Sequence, residues 1–123
     1  MGPIVAIALG GGAGSVLRYL VGRATVSAGF DHQYATAGVN VIGALALGFL
    51  AGWMATSSAS DSVKLGLTTG LLGGFTTFST FMVESSLLVQ DGRLAAAALN
   101  LVGPVVLGLL AAVAGLSLGR VLR

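Results

Sequence analysis

The chain has no cysteine, a single histidine and two prolines, and only 8 % of its 123 residues are charged. Without cysteine there is no disulfide framework and no thiolate nucleophile, and His32 alone cannot assemble a metal cluster. Thiol-enzyme and metalloenzyme readings are closed. The six basic residues, Arg18, Arg23, Lys64, Arg93, Arg120 and Arg123, give a net charge of +2 without forming a basic cluster. Neutralising a run of phosphates needs such a cluster, so nucleic acid is excluded as a partner. Soluble domains carry roughly a quarter charged residues; a chain this poor in charge does not have water as its main solvent.

Hydrophobic residues make up 55 % of the sequence, and they fall into runs. A membrane-spanning helix needs about 20 mostly apolar residues, so a chain of this length holds about four spans with short connections. The first runs from Pro3 to about Val26, broken only by Arg18 and Arg23, and Ala24 to Gln33 then turns polar. With no basic leader and three further apolar runs, it reads as a mature helix, not a secretory signal. The second run, Ala37 to Ala55, contains one strongly polar residue, Asn40, and ends in the turn formers Thr56 to Ser62. The third, Lys64 to about Val89, carries Gly73-Gly74-Phe75-Thr76-Thr77-Phe78-Ser79-Thr80-Phe81 in its middle, poor helix material that predicts an interruption. The fourth extends from Leu94 to about Leu118 and contains Asn100 and Gly103-Pro104; the proline predicts a kink. No internal repeat is visible. The expectation is an all-α integral membrane protein, one domain over residues 1–123, with four transmembrane helices and a broken third helix.

Glycine recurs at four-residue spacing: Gly10 and Gly14, Gly48 and Gly52, Gly66, Gly70 and Gly74, Gly115 and Gly119. Small residues at that interval let helix backbones approach closely in lipid, where the hydrophobic drive for association is missing. Close packing is the expected role. Gly10 to Gly14 has the look of a phosphate loop, but no strand precedes it and no Gly-Lys-Ser/Thr follows.

Excess Lys and Arg marks the cytoplasmic side of a membrane protein. With four spans, one side holds Lys64, Arg120 and Arg123 and the other Arg23 and Arg93, with Arg18 nearby, so the bias is close to nil. A chain without topological preference inserts both ways up, and two opposed copies reproduce the inverted repeats that place a site near the bilayer midplane. Four glycine-rich helices are also too thin a bundle to enclose a pore alone. An antiparallel, dual-topology dimer answers both points.

Polar groups at membrane depth are costly and face protein or water. Asn40 offers two N–H donors, for a passing ligand or for a neighbouring helix. Carbonyls freed by a break around Gly73-Gly74 and the following threonines need partners, and a cation at the crossing of two such breaks would supply one. Phe75, Phe78 and Phe81 are spaced by three, as in a core or lipid-facing stripe, yet they alternate with hydroxyls. Ring edges are positive, so rings turned edge-on can line a narrow anion path. Thr76 and Thr80, four apart, would share a helical face and add hydroxyl donors.

Taken together, Gly11-Gly12-Ala13-Gly14-Ser15 with Arg18-Tyr19, Asn40-Val41-Ile42-Gly43, and Gly70 to Phe81 with Glu84 resemble the Fluc (CrcB) fluoride channels over the whole chain. The Gly-Gly-x-Thr-Thr-Phe-Ser-Thr-Phe string with a downstream Glu is the most specific part. The resemblance implies a dual-topology dimer, of identical or sister chains, with two fluoride pathways, a central sodium ion and export of fluoride across the cell membrane. On matching positions it implies Gly73 and Thr76 as sodium-coordinating carbonyls, and Asn40, Phe78, Phe81, Ser79 and Thr80 as the anion pathway. Arg18 would sit at an aqueous vestibule, or anchor the first span by snorkelling. Glu84 would end the pathway, cap a helix or pair with an arginine. The chain departs from the family pattern around Pro104, where a hydroxyl or amide is expected, and Asn100 either substitutes as a donor or bonds a neighbouring helix.

The expected function is passive, fluoride-selective conduction with no chemical step. A small four-helix proton-coupled multidrug exporter is the alternative, but it needs a carboxylate in the first span, and no acidic residue precedes Asp31. A non-conducting scaffold subunit would leave the hydroxyl and aromatic string unexplained.

Overall fold

A computed structural model describes residues 2–122, so the expectation concerning Arg123 lies outside the described residues. Those residues form helices and connecting loops only: α1 (Pro3–Ser27), α2 (His32–Met54), α3 (Asp61–Leu65), a π-helical segment (Gly66–Leu72), α4 (Gly73–Phe75), α5 (Phe78–Gln90) and α6 (Leu94–Val121). Helices α1, α2 and α6 are long and apolar enough to cross a membrane. Pro3 opens α1, where its missing N–H costs nothing and its fixed φ suits the first turn. Gly29 and Gly92 have φ of +86° and +72°, and each ends a helix in a tight loop that a side chain would strain. The polar stretch after the first span is therefore shorter than its composition suggests. α1 continues to Ser27 and α2 starts at His32, five residues ahead of the apolar run.

Glycine spacing decides which helices meet. A Cβ at Gly10 or Gly14 would land on Gly66 O or Leu71 O, and one at Gly74 on Gly11 O, so α1 lies backbone to backbone along the third segment. On the other side, a Cβ at Gly48, Gly52, Gly115 or Gly119 would land on a carbonyl of the facing helix, which locks α2 to α6. The core is accordingly small, built from glycine, Ala6, Ala35, Ala97 and Val39, with Met54, Phe81 and Leu88 as its larger buried side chains. Large side chains such as Leu99 and Leu109 point outward, where lipid replaces water as the apolar solvent. Overpacking in tight interfaces costs about 1–3 kcal/mol or more.

The interruption is present within the expected string, at its first threonines and beyond its glycines. Gly73 and Gly74 stay helical, and the chain opens at Thr76 (φ −84°, ψ 159°) and Thr77 (φ −152°, ψ 120°). Gly74 is needed in helical form to touch α1, whereas β-branched threonine gives up little helix propensity by becoming extended. Thr76 and Thr80 consequently do not share a helical face; the break between them resets the phase. The π-helical stretch was unforeseen. In it Gly73 N–H reaches back five residues to Thr68 O. Helix α6 continues through Pro104, which removes the N–H that would donate to Asn100 O.

Candidate functional site

Two side chains from neighbouring helices hold the break open. Asn40 sits within the apolar α2, and its amide pairs with the Thr77 backbone as a strand would: Nδ2 donates to Thr77 O and Thr77 N donates to Oδ1, each at 2.8 Å. From α1, Arg18 Nη1 donates to Thr76 O at 3.0 Å. The Thr76 hydroxyl donates to Leu72 O at 2.9 Å, and its methyl presses on Gly43, one turn from Asn40, where a Cβ would collide. The buried Thr77 hydroxyl caps α5 by accepting from Thr80 N at 3.3 Å, an arrangement typically worth about 1 kcal/mol. Backbone groups cut out of the helix thus acquire partners, as a low-dielectric setting requires.

Three cavities meet at this break. The largest, about 590 Å³, lies between α1 and α2 with Arg18, Arg23, His32, Thr36, Thr77 and Thr80 in its wall. A second, about 240 Å³, is walled by Asn40, Thr76, Thr77, Phe78, Phe81 and Pro104. A third, about 270 Å³, includes Asn40, Gly43, Thr68, Gly73 and Thr76. Phe78 and Phe81 stand 6.2 Å apart and tilted by 58°, yet they are not equivalent: Phe81 is 4 % exposed and Phe78 73 %.

The residues singled out from sequence therefore divide. Asn40, Phe78 and Phe81 share one cavity, Arg18 and Thr80 share another, and Gly73 and Thr76 line the third. Ser79 is exposed and lines none of the three; its hydroxyl lies 3.5 Å from that of Thr77. Arg18 does more than anchor α1, since it bonds the break itself. Glu84 caps no helix and pairs with no arginine among the described residues: its Oε1 accepts from Thr36 Oγ1 at 2.9 Å and meets His32 Nδ1 at 2.8 Å, while Oε2 is buried without a partner. Asn100 bonds a neighbouring helix, through Ser85 Oγ at 2.9 Å.

Sequence reasoning missed Thr77, Thr36 and His32. Thr77 lies inside the recognised string, but which of two adjacent threonines faces inward depends on where the helix stops. Thr36 and His32 fell in a stretch that reads as loop, and their i, i+4 spacing becomes informative only once α2 is known to start at His32.

A sodium ion at Gly73 and Thr76 can be tested against the donor set. Thr77 N–H, which would otherwise bond Gly73 O, goes to Asn40, and Gly73 faces open space in which a Cβ would meet only Thr68 O at 3.8 Å. Gly73 O is a freed carbonyl on an open face. Thr76 O already accepts from Arg18, with one lone pair left. These oxygens suit a hard cation, but within one chain they are too few to enclose it.

Fold and site define a multi-pass protein of the cell membrane with a polar break inside an apolar bundle, the architecture of channels and carriers. Residues 5–116 match the family described as CrcB-like protein, Camphor Resistance (CrcB). A relative from Novosphingobium aromaticivorans, named fluoride-specific ion channel FluC, is 48 % identical over 117 residues, 93 % of each chain. Relatives of the same name from Chloroflexus aurantiacus and Geobacter sulfurreducens are 45 % and 43 % identical over 122 residues, 98 % of this chain and 97 % and 98 % of theirs. The chain belongs to the CrcB-like family, a family of ion channels and not of enzymes.

Proposed function

We propose that this protein is a fluoride-selective channel that lets fluoride leave the cell passively, as a dual-topology dimer of identical or sister chains. In this reading residues 1–123 form one four-span domain, with α3 to α5 together making the broken third crossing. The observation that carries it is the clamped break. Asn40 spends one N–H on Thr77 O and keeps a second, and it lines one cavity with the Phe78 and Phe81 rings. Such a lining replaces water around a small anion stepwise, without the full positive charge that would trap it.

Arg18 and Arg23 in the largest cavity form the vestibule that draws anions in, and Thr80 continues its polar wall toward the break. Ser79, exposed beside Thr77, joins the pathway where a second chain covers it. Gly73 O and Thr76 O from two opposed copies would hold the sodium ion, which supplies a fixed positive centre that ties the two breaks together. Gly73 offers the bare backbone this requires. The balanced distribution of Lys and Arg supports insertion in both orientations.

The test is efflux from liposomes containing purified protein and loaded with fluoride or chloride, followed by an ion electrode. Fast fluoride and negligible chloride release, independent of a proton gradient, is expected. Equal release of both ions refutes selectivity, and a strict need for a proton gradient would favour an exporter.

A further inference from the structure

The wall of the largest cavity holds two arginines and two residues that bond a carboxylate outside it. Arg18 and Arg23 line it together with His32 and Thr36, the two residues that hold Glu84. Opposite charges in a low-dielectric bundle attract strongly. Yet among the described residues the one contact between a carboxylate and a basic side chain is Glu84 with His32. His32 is built into place from three sides. It opens α2, its Nδ1 meets Glu84 on α5, and its Nε2 lies where a Cβ on Gly22 of α1 would come within 2.8 Å, so only glycine at that position admits the ring. Thr36, one turn later, donates to the same Glu84 oxygen.

We propose that His32 is a positioning residue of the anion entrance: with Thr36 it ties the Glu84 carboxylate to α2, so that no carboxylate cancels the Arg18 and Arg23 guanidinia facing an entering anion. Contact with a carboxylate fixes the imidazole with its proton on Nδ1. Glu84 is 15 % exposed and its second oxygen has no partner, so a released carboxylate gains by turning to a guanidinium. The vestibule would then lose its positive field and its open mouth together. The inference rests on the fluoride-channel reading.

The experiment compares fluoride efflux at low ionic strength from liposomes bearing the wild type, His32→Leu, His32→Asn, Glu84→Gln and the His32→Leu/Glu84→Gln pair, each checked by gel filtration. Electrostatic steering multiplies entry rates by about 10–10³. His32→Leu should therefore lower efflux about tenfold or more and flatten its dependence on salt. His32→Asn, which keeps an N–H near the same place, should retain more than about half the rate. In the Glu84→Gln background, with no carboxylate to release, the same leucine should cost less than about twofold. An equal loss in both backgrounds, or no loss in either, overturns the proposal. A second readout needs no transport, because His32 is the only histidine. In tag-free protein labelled with 15N-histidine, the Nδ1–H of this 56 % exposed side chain should exchange more slowly in the wild type than in Glu84→Gln. Equal exchange in both overturns the clamp. A wild type that releases no fluoride but shows the slow proton removes the channel reading and leaves the clamp standing.

Discussion

Replacing Asn40 by leucine tests the centre of the site. The two side chains are close in volume, so packing changes little, but both 2.8 Å bonds to the Thr77 backbone disappear. Hydrogen bonds between membrane helices average about 0.6 kcal/mol and reach about 1.7, so the pair accounts for about 1–3 kcal/mol of stability. Conduction should suffer more than folding. The second Asn40 N–H is the donor offered to the anion, and a hydrogen bond to a charged partner is worth about 1.5–3 kcal/mol. At 1.36 kcal/mol per decade, its loss at the barrier slows passage about ten- to hundredfold. The assay is fluoride efflux per folded protein in liposomes, beside denaturant unfolding in detergent. Near wild-type efflux from Asn40→Leu would refute the reasoning, since no other residue on α2 presents an amide to the break.

Three further outcomes follow. Phe78→Leu should leave stability unchanged, because the ring is 73 % exposed, while cutting efflux roughly a hundredfold if its edge meets the anion; Phe81→Leu, at a buried ring, should cost up to about 1.5 kcal/mol of stability as well. Normal efflux in both would assign the rings to packing. Gly73→Val and Gly14→Val should differ in kind. The first meets only Thr68 O and should yield a folded chain that no longer dimerises on gel filtration, whereas the second collides with Leu71 O and should fail to fold. A folded Gly73→Val dimer would remove the crossing from this face. A cysteine at Ser60, in a chain with no other thiol, should be labelled from both sides of intact cells, and labelling from one side alone would refute dual topology.

The membrane class, the close-packing glycine faces and the existence of a break were legible in the sequence because each rests on composition or on a period. Shortage of charge excludes water, apolar runs of span length select helices, and glycine every four residues marks the faces where backbones touch. These signals are local, and no distant residue can reverse them. The break falls inside the expected Gly73 to Phe81 string, but which of its residues open was not legible, because Gly73 and Gly74 are at least as weak in helix propensity as the threonines. The glycines remain helical only because α1 lies close enough to need them.

The exact residue at which the helix opens decided most of what the site looks like. Once the chain opens at Thr76 and Thr77, the phase of α5 is reset: Phe81 turns inward, Phe78 outward, Thr80 toward the arginine-lined cavity and Ser79 away from all three. Likewise, Asn40 and Arg18 stand out in the sequence as polar residues in apolar runs, but their partners are backbone atoms 37 and 58 positions away. Only packing brings those atoms within reach. The sequence by itself determined the solvent, the apolar runs that become helices and the glycine faces along them, through properties that each segment carries alone. Tertiary structure decided where the third segment opens, which hydroxyl and which ring face inward, and that His32 and Thr36 hold Glu84, because each depends on the phase and register between helices, which no local pattern encodes.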